Sequence, residues 1–308
     1  MDCAPSSAPP PGPVRALLRS MRPRQWSKNL LLFAGFLFTL NDTWTPLSPV
    51  MWVYLRSASL AFVLFCLLSS GVYLLNDLKD LERDRAHPHK RLRPLAAGQL
   101  RPAVALAVAL VLLAVALSGS YRLRPAFLAV GCGYLALQVL YTLLLKHLVI
   151  LDVLGIAIGF VLRAVGGAVA IGVAISPWLY TVTLLAALFL GLCKRRHELL
   201  LLSEGAERHR RILAEYSPQL LDQLIAIVAS ATIMAYSLYT FTSPRLPQNH
   251  LMMLTIPLVL YGMFRYLYLV HRRDAGGSPE EVLLRDGPLI ATVLAWAAAA
   301  ALILAIGR

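Results

Sequence analysis

Residues 73–84 read Tyr73-Leu74-Leu75-Asn76-Asp77-Leu78-Lys79-Asp80-Leu81-Glu82-Arg83-Asp84. If one helix runs through them, Tyr73, Asn76, Asp77, Asp80 and Asp84 share an arc of about 100°. Like charges three and four residues apart on a helix repel. A divalent cation or a cluster of lysines and arginines can offset that repulsion. The available donors are all oxygen, with no imidazole or thiolate. That set suits Mg²⁺, which keeps waters and takes further ligands from substrate phosphates. The plainer reading is a solvated helix end whose carboxylates pair with Lys79, Arg83 and Arg85.

The next stretch is His87-Pro88-His89-Lys90-Arg91-Leu92-Arg93-Pro94. Two prolines prevent an ordinary helix and put Lys90, Arg91 and Arg93 in a loop directly after the acidic stripe. Carboxylates able to hold Mg²⁺ beside cations able to hold phosphate oxygens describe a diphosphate site.

A second polar group lies further along. Tyr141 and Lys146 end one apolar run; Asp152, Gly155, Gly159, Arg163, Gly166 and Gly167 follow in the next. Asp152 and Arg163 fall within about 20° of each other on a helix and about 16 Å apart along it. A mid-span arginine costs about 2.5–3.5 kcal/mol on insertion scales, so Arg163 needs a polar cavity and a partner, either an anionic ligand or Asp152. The glycines fit close helix packing as well as they fit a site. Lys194, Arg195, Arg196 and Glu198 close the following run.

These groups must be held by apolar elements. Of 308 residues, 58% are hydrophobic and 15% charged, with mean hydropathy +0.66. A soluble globular enzyme, a disordered chain and a collagen-like chain are excluded by that balance. Apolar runs at 26–41, 55–79, 101–119, 125–145, 149–174, 177–194, 219–241, 250–270 and 287–307 predict an all-α, polytopic membrane protein of nine transmembrane helices. Residues 1–20, proline-rich and weakly apolar, read as a disordered tail before a catalytic membrane domain at 21–308. The formal charge is +13. Its lysines and arginines crowd the segments before 28, 79–101, 194–211 and 265–285. The opposite side receives only Arg56, Arg122, Arg124, Arg245 and Arg308. This is the positive-inside pattern, which places the N-terminus and the polar site on the cytoplasmic side of the plasma membrane. Topology and anionic membrane lipids thus account for the charge, and nucleic acid is not needed as a partner. Cys3, Cys66, Cys132 and Cys193 are isolated, so neither a disulfide framework nor a zinc site is expected. His197-Glu198 lacks the second histidine of a zinc helix.

Asn76-Asp77-x-x-Asp80-x-x-x-Asp84 resembles the first aspartate-rich motif of the UbiA-type intramembrane prenyltransferases, nine-helix bundles whose site opens to the cytoplasm. Arg22 to Asn29, Asp84 to Pro94, Leu145 to Arg163, Lys194 to Leu199 and Gly277 to Asp286 narrow the resemblance. They are similar to the members that transfer phosphoribosyl groups to decaprenyl phosphate for cell-wall arabinan synthesis in actinobacteria. The resemblance implies phosphoribosyl diphosphate and a polyprenyl phosphate as substrates, with Mg²⁺ as cofactor. Asn76 and Asp80 are then the metal ligands, and Asp77, Asp80 and Asp84 the catalytic carboxylates. Lys28, Tyr73, Lys90, Arg91 and Arg93 are expected to bind the donor. Lys146, Arg163, Lys194 and Arg195 are expected to bind the lipid phosphate or the donor's remaining phosphate. Self-association into a homo-oligomer is compatible with the sequence.

The sequence departs from aromatic-acceptor prenyltransferases at one informative place. They carry a second aspartate pair; here Asp152 is followed by Gly155 and Ile156, with Lys146 and Arg163 nearby. Cations suit a monophosphate lipid acting as nucleophile, with diphosphate departing from the sugar. An aromatic-acceptor prenyltransferase is the alternative. A transporter is a more distant one, since repeated halves with paired broken helices are not found.

Overall fold

The computed structural model of the chain describes residues 12–88, 90–203, 213, 215–272, 277, 282 and 285–306. It is an all-α, multi-pass membrane fold in which eight helices are long and apolar enough to cross a bilayer among the described residues. They are α3 (Pro49–Lys79), α5 (Pro102–Leu123), α6 (Pro125–Leu143), α7 (Leu151–Ile171), α8 (Pro177–Ser203), α9 (Pro218–Thr242), α10 (Ile256–Arg272) and α11 (Gly287–Ile306). Three shorter helices are α1 (Pro13–Ser20), α2 (Ala34–Phe38) and α4 (Leu81–Ala86). Proline stands at the first turn of α1, α5 and α9, where its missing N–H costs no intrahelical bond.

Two expectations need correction. Residues 13–20 form α1 rather than a disordered tail: Ala16 and Ser20 are buried, and Leu17 packs near Leu74 and Leu95. Residues 1–11 of that tail lie outside the described residues. The expected first spanning helix at 26–41 is instead a 3₁₀ helix, Pro23–Phe33, running into the five residues of α2. Its polar side chains explain the change. Trp26 Nε1 donates to Ser70 Oγ at 3.1 Å. Asn29, fully buried, reaches Cys66 Sγ at 3.3 Å. A regular lipid-facing helix would strand these groups.

The chain forms two compact units, Met1–Leu30 with Leu60–Gly131 and Leu31–Ser59 with Cys132–Arg308. In the first, α5 buries Ala105, Ala109, Ala116 and Ser120, a narrow stripe of small residues. Leu106, Leu110 and Val115 stay exposed, as expected of a helix facing lipid. Without a hydrophobic drive between helices in a bilayer, close approach of such small residues supplies the packing. A Cβ on Gly119 would lie 2.5 Å from Leu64 Cδ2, which shows how closely α3 and α5 meet.

In the second unit, Val153, Phe189, Leu192, Leu221, Ile225 and Tyr266 form the core of α7 to α10. The carbonyl oxygen of Leu32 sits 2.0 Å from where a Gly167 Cβ would be, so only glycine admits that crossing. Asn41 donates to the carbonyls of Leu304 and Ala305 at 3.1 and 2.9 Å, satisfying the free end of α11. The glycine stripe of α7 therefore includes true packing positions.

Candidate functional site

In the first unit, the acidic stripe does continue past α3, with one break. Asp80 sits between α3 and α4 at φ −92°, ψ 7°. Its N–H still reaches the Asn76 carbonyl at 3.0 Å, and the Asp84 N–H reaches the Asp80 carbonyl at 2.8 Å. The helical register thus carries through, and the carboxylates divide into two kinds.

Asp77 and Asp84 are buried, 4% and 3% exposed. Arg22 Nη2 donates to Asp77 Oδ1 at 2.5 Å. Arg93 Nη1 bridges both acids, at 3.2 Å to Asp77 Oδ1 and 2.6 Å to Asp84 Oδ2. Arginines therefore offset the repulsion between these two carboxylates. The guanidinium of Arg22 also lies 5.0 Å from the centre of the Tyr73 ring, a cation–π contact. Arg22 adopts a left-handed backbone, φ 56°, at the corner between α1 and the following 3₁₀ helix.

Asn76 and Asp80 are the second kind. Both are half-buried and one turn apart. Among the described residues Asp80 has no side-chain hydrogen bond or ion pair, whereas Asn76 does have a partner. No group of three or more His, Cys, Asp or Glu side chains able to hold a metal occurs among the described residues. Two oxygen donors with no third carboxylate fit Mg²⁺ that completes its shell with water and phosphate.

Asp77 of the same stripe lines a cavity of about 260 Å³ together with Arg19, Ser20, Arg22, Leu92, Arg93 and Pro94. Three guanidiniums facing the one lining carboxylate, Asp77, make a composition suited to an anion. Arg19 and Arg22 were absent from the sequence-derived site. Arg22 was marked only as the first residue of the stretch Arg22 to Asn29 and Arg19 only by its basic type, because contact with residues some fifty positions later has no local signature. Lys90 and Arg91 are exposed in the 3₁₀ turn Lys90–Leu92, while Arg93 turns inward. Lys28 and Tyr73 are half-buried and partnered. His89 lies outside the described residues.

In the second unit, Asp152 is fully buried. It is bound by Arg195, not by Arg163: Arg195 Nε donates to Asp152 Oδ2 at 2.6 Å. Arg195 also pairs with Glu198 and reaches Tyr141 Oη at 3.5 Å. Tyr216 donates from Oη to Asp152 Oδ1 at 2.8 Å and accepts from the Ile150 N–H at 2.6 Å. Burial foremost, and then its bond to Asp152, push the Tyr216 phenol up to about 12, so it stays a proton donor at neutral pH. Tyr216 was missed from sequence; it stands alone between α8 and α9 with no pattern around it.

Arg163 is buried and donates from Nη1 to the Gly159 carbonyl at 2.6 Å and from Nη2 to Tyr134 Oη at 3.0 Å. The rings of Tyr134 and Phe160 flank it, at 4.9 and 5.5 Å from its centre. Its charge is thus met within α6 and α7 by a carbonyl, a hydroxyl and two π faces. Lys146 and Lys194 are half-buried, and Lys146 has a partner. A Cβ on Gly155 would lie 3.0 Å from Leu145 and 3.1 Å from Tyr141, so this glycine lets the start of α7 close onto the Lys146 turn.

The UbiA prenyltransferase family model matches residues 30–281. A decaprenyl-phosphate phosphoribosyltransferase of Mycolicibacterium smegmatis is 35% identical, over 96% of this chain and 94% of its own length. One from Corynebacterium glutamicum is 34% identical, over 94% and 86%. Among solved structures, a UbiA homolog from Archaeoglobus fulgidus bound to GPP and Mg²⁺ superposes with a TM-score of 0.69. It covers 94% of this chain and all of its own, at 18% identity. That likeness speaks for the fold alone.

Proposed function

The chain belongs to the UbiA prenyltransferase family, and from that premise we propose that it transfers a 5-phosphoribosyl group from phosphoribosyl diphosphate to a polyprenyl phosphate. Diphosphate is released. The relatives similar over nearly their whole length are named for this reaction on decaprenyl phosphate. The observation in the chain itself that supports it best is the cavity of the first unit, where Arg19, Arg22 and Arg93 gather around Asp77 of the acidic stripe. The site is built for one polyanionic donor.

In this reading Asn76 and Asp80 would hold Mg²⁺, which when bound would supply neutralisation of the charge that builds on the leaving group. Arg22 and Arg93 take the remaining phosphate oxygens with Arg19 beside them, and Lys28, Lys90 and Arg91 are assigned to the same donor. Asp77 and Asp84 act at one remove, by holding Arg22 and Arg93 in place. Tyr73 supports Arg22 through its ring. In the second unit Lys146 and Lys194 are assigned to the lipid phosphate. Arg163 and Arg195, expected from sequence to touch phosphate, are assigned to positioning because both are buried, at 5% and 2% exposure, whereas the Arg22 and Arg93 side chains stay 32% and 31% exposed.

The bond changes follow from these charges. An oxygen of the lipid phosphate attacks the anomeric carbon of the ribose, and the bond from that carbon to diphosphate breaks with its electron pair leaving on oxygen. The nucleophile is already an anion, so no strong general base is required. Rate comes from alignment and from cations set where charge develops. The loop charges orient the site toward the cytoplasm of a plasma membrane, where a soluble sugar donor and a membrane-held acceptor meet. Incubating the purified protein with Mg²⁺, decaprenyl phosphate and labelled phosphoribosyl diphosphate tests the reading. It predicts label in the lipid fraction, with loss of that label when Mg²⁺ is chelated.

A further inference from the structure

Ile150 is β-branched and yet sits at φ 69°, ψ −44°, immediately before α7. The turn is three residues wide, closed by the Leu151 N–H on the Val149 carbonyl at 2.8 Å. A γ-turn of this hand is rare and strained even for small residues. A β-branched side chain at positive φ makes it a genuine outlier. Such a conformation persists only where its surroundings over-determine it.

The surroundings do so through one side chain. Tyr216 lies 66 residues away and accepts the Ile150 N–H at 2.6 Å. The same hydroxyl donates to Asp152, two residues beyond the strained position. Asp152 is fixed in turn by Arg195. The turn is therefore clamped on both sides of its centre by a buried phenol, itself only 4% exposed. On the other side of the turn, the Leu148 N–H reaches the Leu145 carbonyl at 3.1 Å and the Asp152 N–H reaches the Leu148 carbonyl at 3.0 Å. This ties the short turn Leu145–His147, which carries Lys146, to the same knot.

The geometry points to Tyr216 as a positioning residue: it holds Ile150 in its left-handed turn and so sets the direction of the Lys146 segment toward the phosphate of the lipid. The inference rests on the reading that Lys146 meets that phosphate. Tyr216 itself touches no substrate in this account. Its work is to keep a strained turn from relaxing into an extended or helical path, either of which would redirect Lys146.

Three variants separate this from simple loss of stability. Tyr216→Phe keeps the ring and removes both hydrogen bonds. Ile150→Gly removes the strain, since glycine adopts positive φ without penalty. The double variant lacks the clamp but no longer needs it. Equilibrium binding of decaprenyl phosphate is measured together with amide hydrogen exchange over residues 148–154, both of which proceed without turnover. Tyr216→Phe should weaken lipid binding about tenfold, as expected for losing a buried hydrogen-bonded pair, and speed exchange in the turn. Adding Ile150→Gly should restore lipid binding toward wild type while exchange at residue 150, whose N–H still lacks its acceptor, stays fast, and phosphoribosyl diphosphate binding should stay within about twofold throughout. Unchanged exchange in Tyr216→Phe would overturn the clamp. Faster exchange with unchanged lipid binding would overturn the link to Lys146. A wild-type protein that binds decaprenyl phosphate yet makes no labelled lipid would defeat the proposed reaction and leave this positioning role standing.

Discussion

Arg195 is joined to Asp152 across 43 residues of sequence at 2.6 Å, with both side chains shut away from solvent. The pair connects α8 to the first turn of α7, and Glu198 and Tyr141 share the same guanidinium. Breaking a buried pair leaves the surviving charge uncompensated, at a cost of about 3–5 kcal/mol. Arg195→Met and Asp152→Asn should each lower unfolding stability in detergent by about that amount. The double variant should lose clearly less than the sum, and a double-mutant cycle by denaturant unfolding measures the difference. Additive losses would mean the two side chains do not share a bond.

Asp80 and Asp77 should separate by phenotype although both belong to the acidic stripe. Asp80→Asn removes a charge that has no ionic partner among the described residues. The fold should be untouched while transfer falls by several orders of magnitude and Mg²⁺ dependence shifts to higher concentration. Asp77→Asn instead frees Arg22 and weakens the hold on Arg93. Stability should fall by about 2–4 kcal/mol, with a higher KM for the sugar donor. Equal stability for the two variants, by thermal unfolding in detergent, would contradict the division.

Arg163 gives a third expectation. Its donors meet the Gly159 carbonyl and Tyr134, and two aromatic rings enclose it. Arg163→Lys keeps the charge and loses the planar contacts, so stability should fall by about 1–3 kcal/mol. KM values for both substrates should remain within about twofold. A large rise in the KM for polyprenyl phosphate without loss of stability would return Arg163 to the substrate.

The Tyr216 phenol carries a pH signature. Its ordinary value is near 10, and burial together with the bond to Asp152 raises it to about 12 in the folded chain. A raised pKa contributes stability that is fully present below about 10 and is lost as pH rises toward 12. Wild-type stability should therefore drop more steeply between pH 10 and 12 than that of Tyr216→Phe. Parallel slopes in unfolding experiments across that window would show that the phenol is not held as described.

Much of this was legible in the chain, and the reasons for the gaps are physical. Helices α5 to α11 announce themselves because each must be apolar along its whole length to cross a bilayer. The acidic stripe is equally legible because Asn76, Asp77, Asp80 and Asp84 are local in sequence and keep one helical register from α3 into α4. The segment after Pro23 misled because its composition suits a spanning helix. Its course is decided by Ser70 and Cys66, distant in sequence, and in the other unit by Gly167. Partner choice was hidden for the same reason. Helical geometry placed Arg163 on the face of Asp152, but a side chain from another helix, Arg195, lies closer. Arg19, Arg22 and Tyr216 sit in short segments whose roles are set only by what they touch after folding.

The central claim is that diphosphate leaves the sugar and the lipid keeps its phosphate. It is tested by supplying decaprenyl phosphate labelled on phosphorus, unlabelled phosphoribosyl diphosphate and Mg²⁺, then separating lipid from water-soluble products. Label retained in a phosphoribosylated lipid, with unlabelled diphosphate in the aqueous phase, is the predicted result. Lipid phosphorus appearing in free phosphate or diphosphate would contradict it, and would reverse the roles given to the arginine-lined cavity and to Lys146.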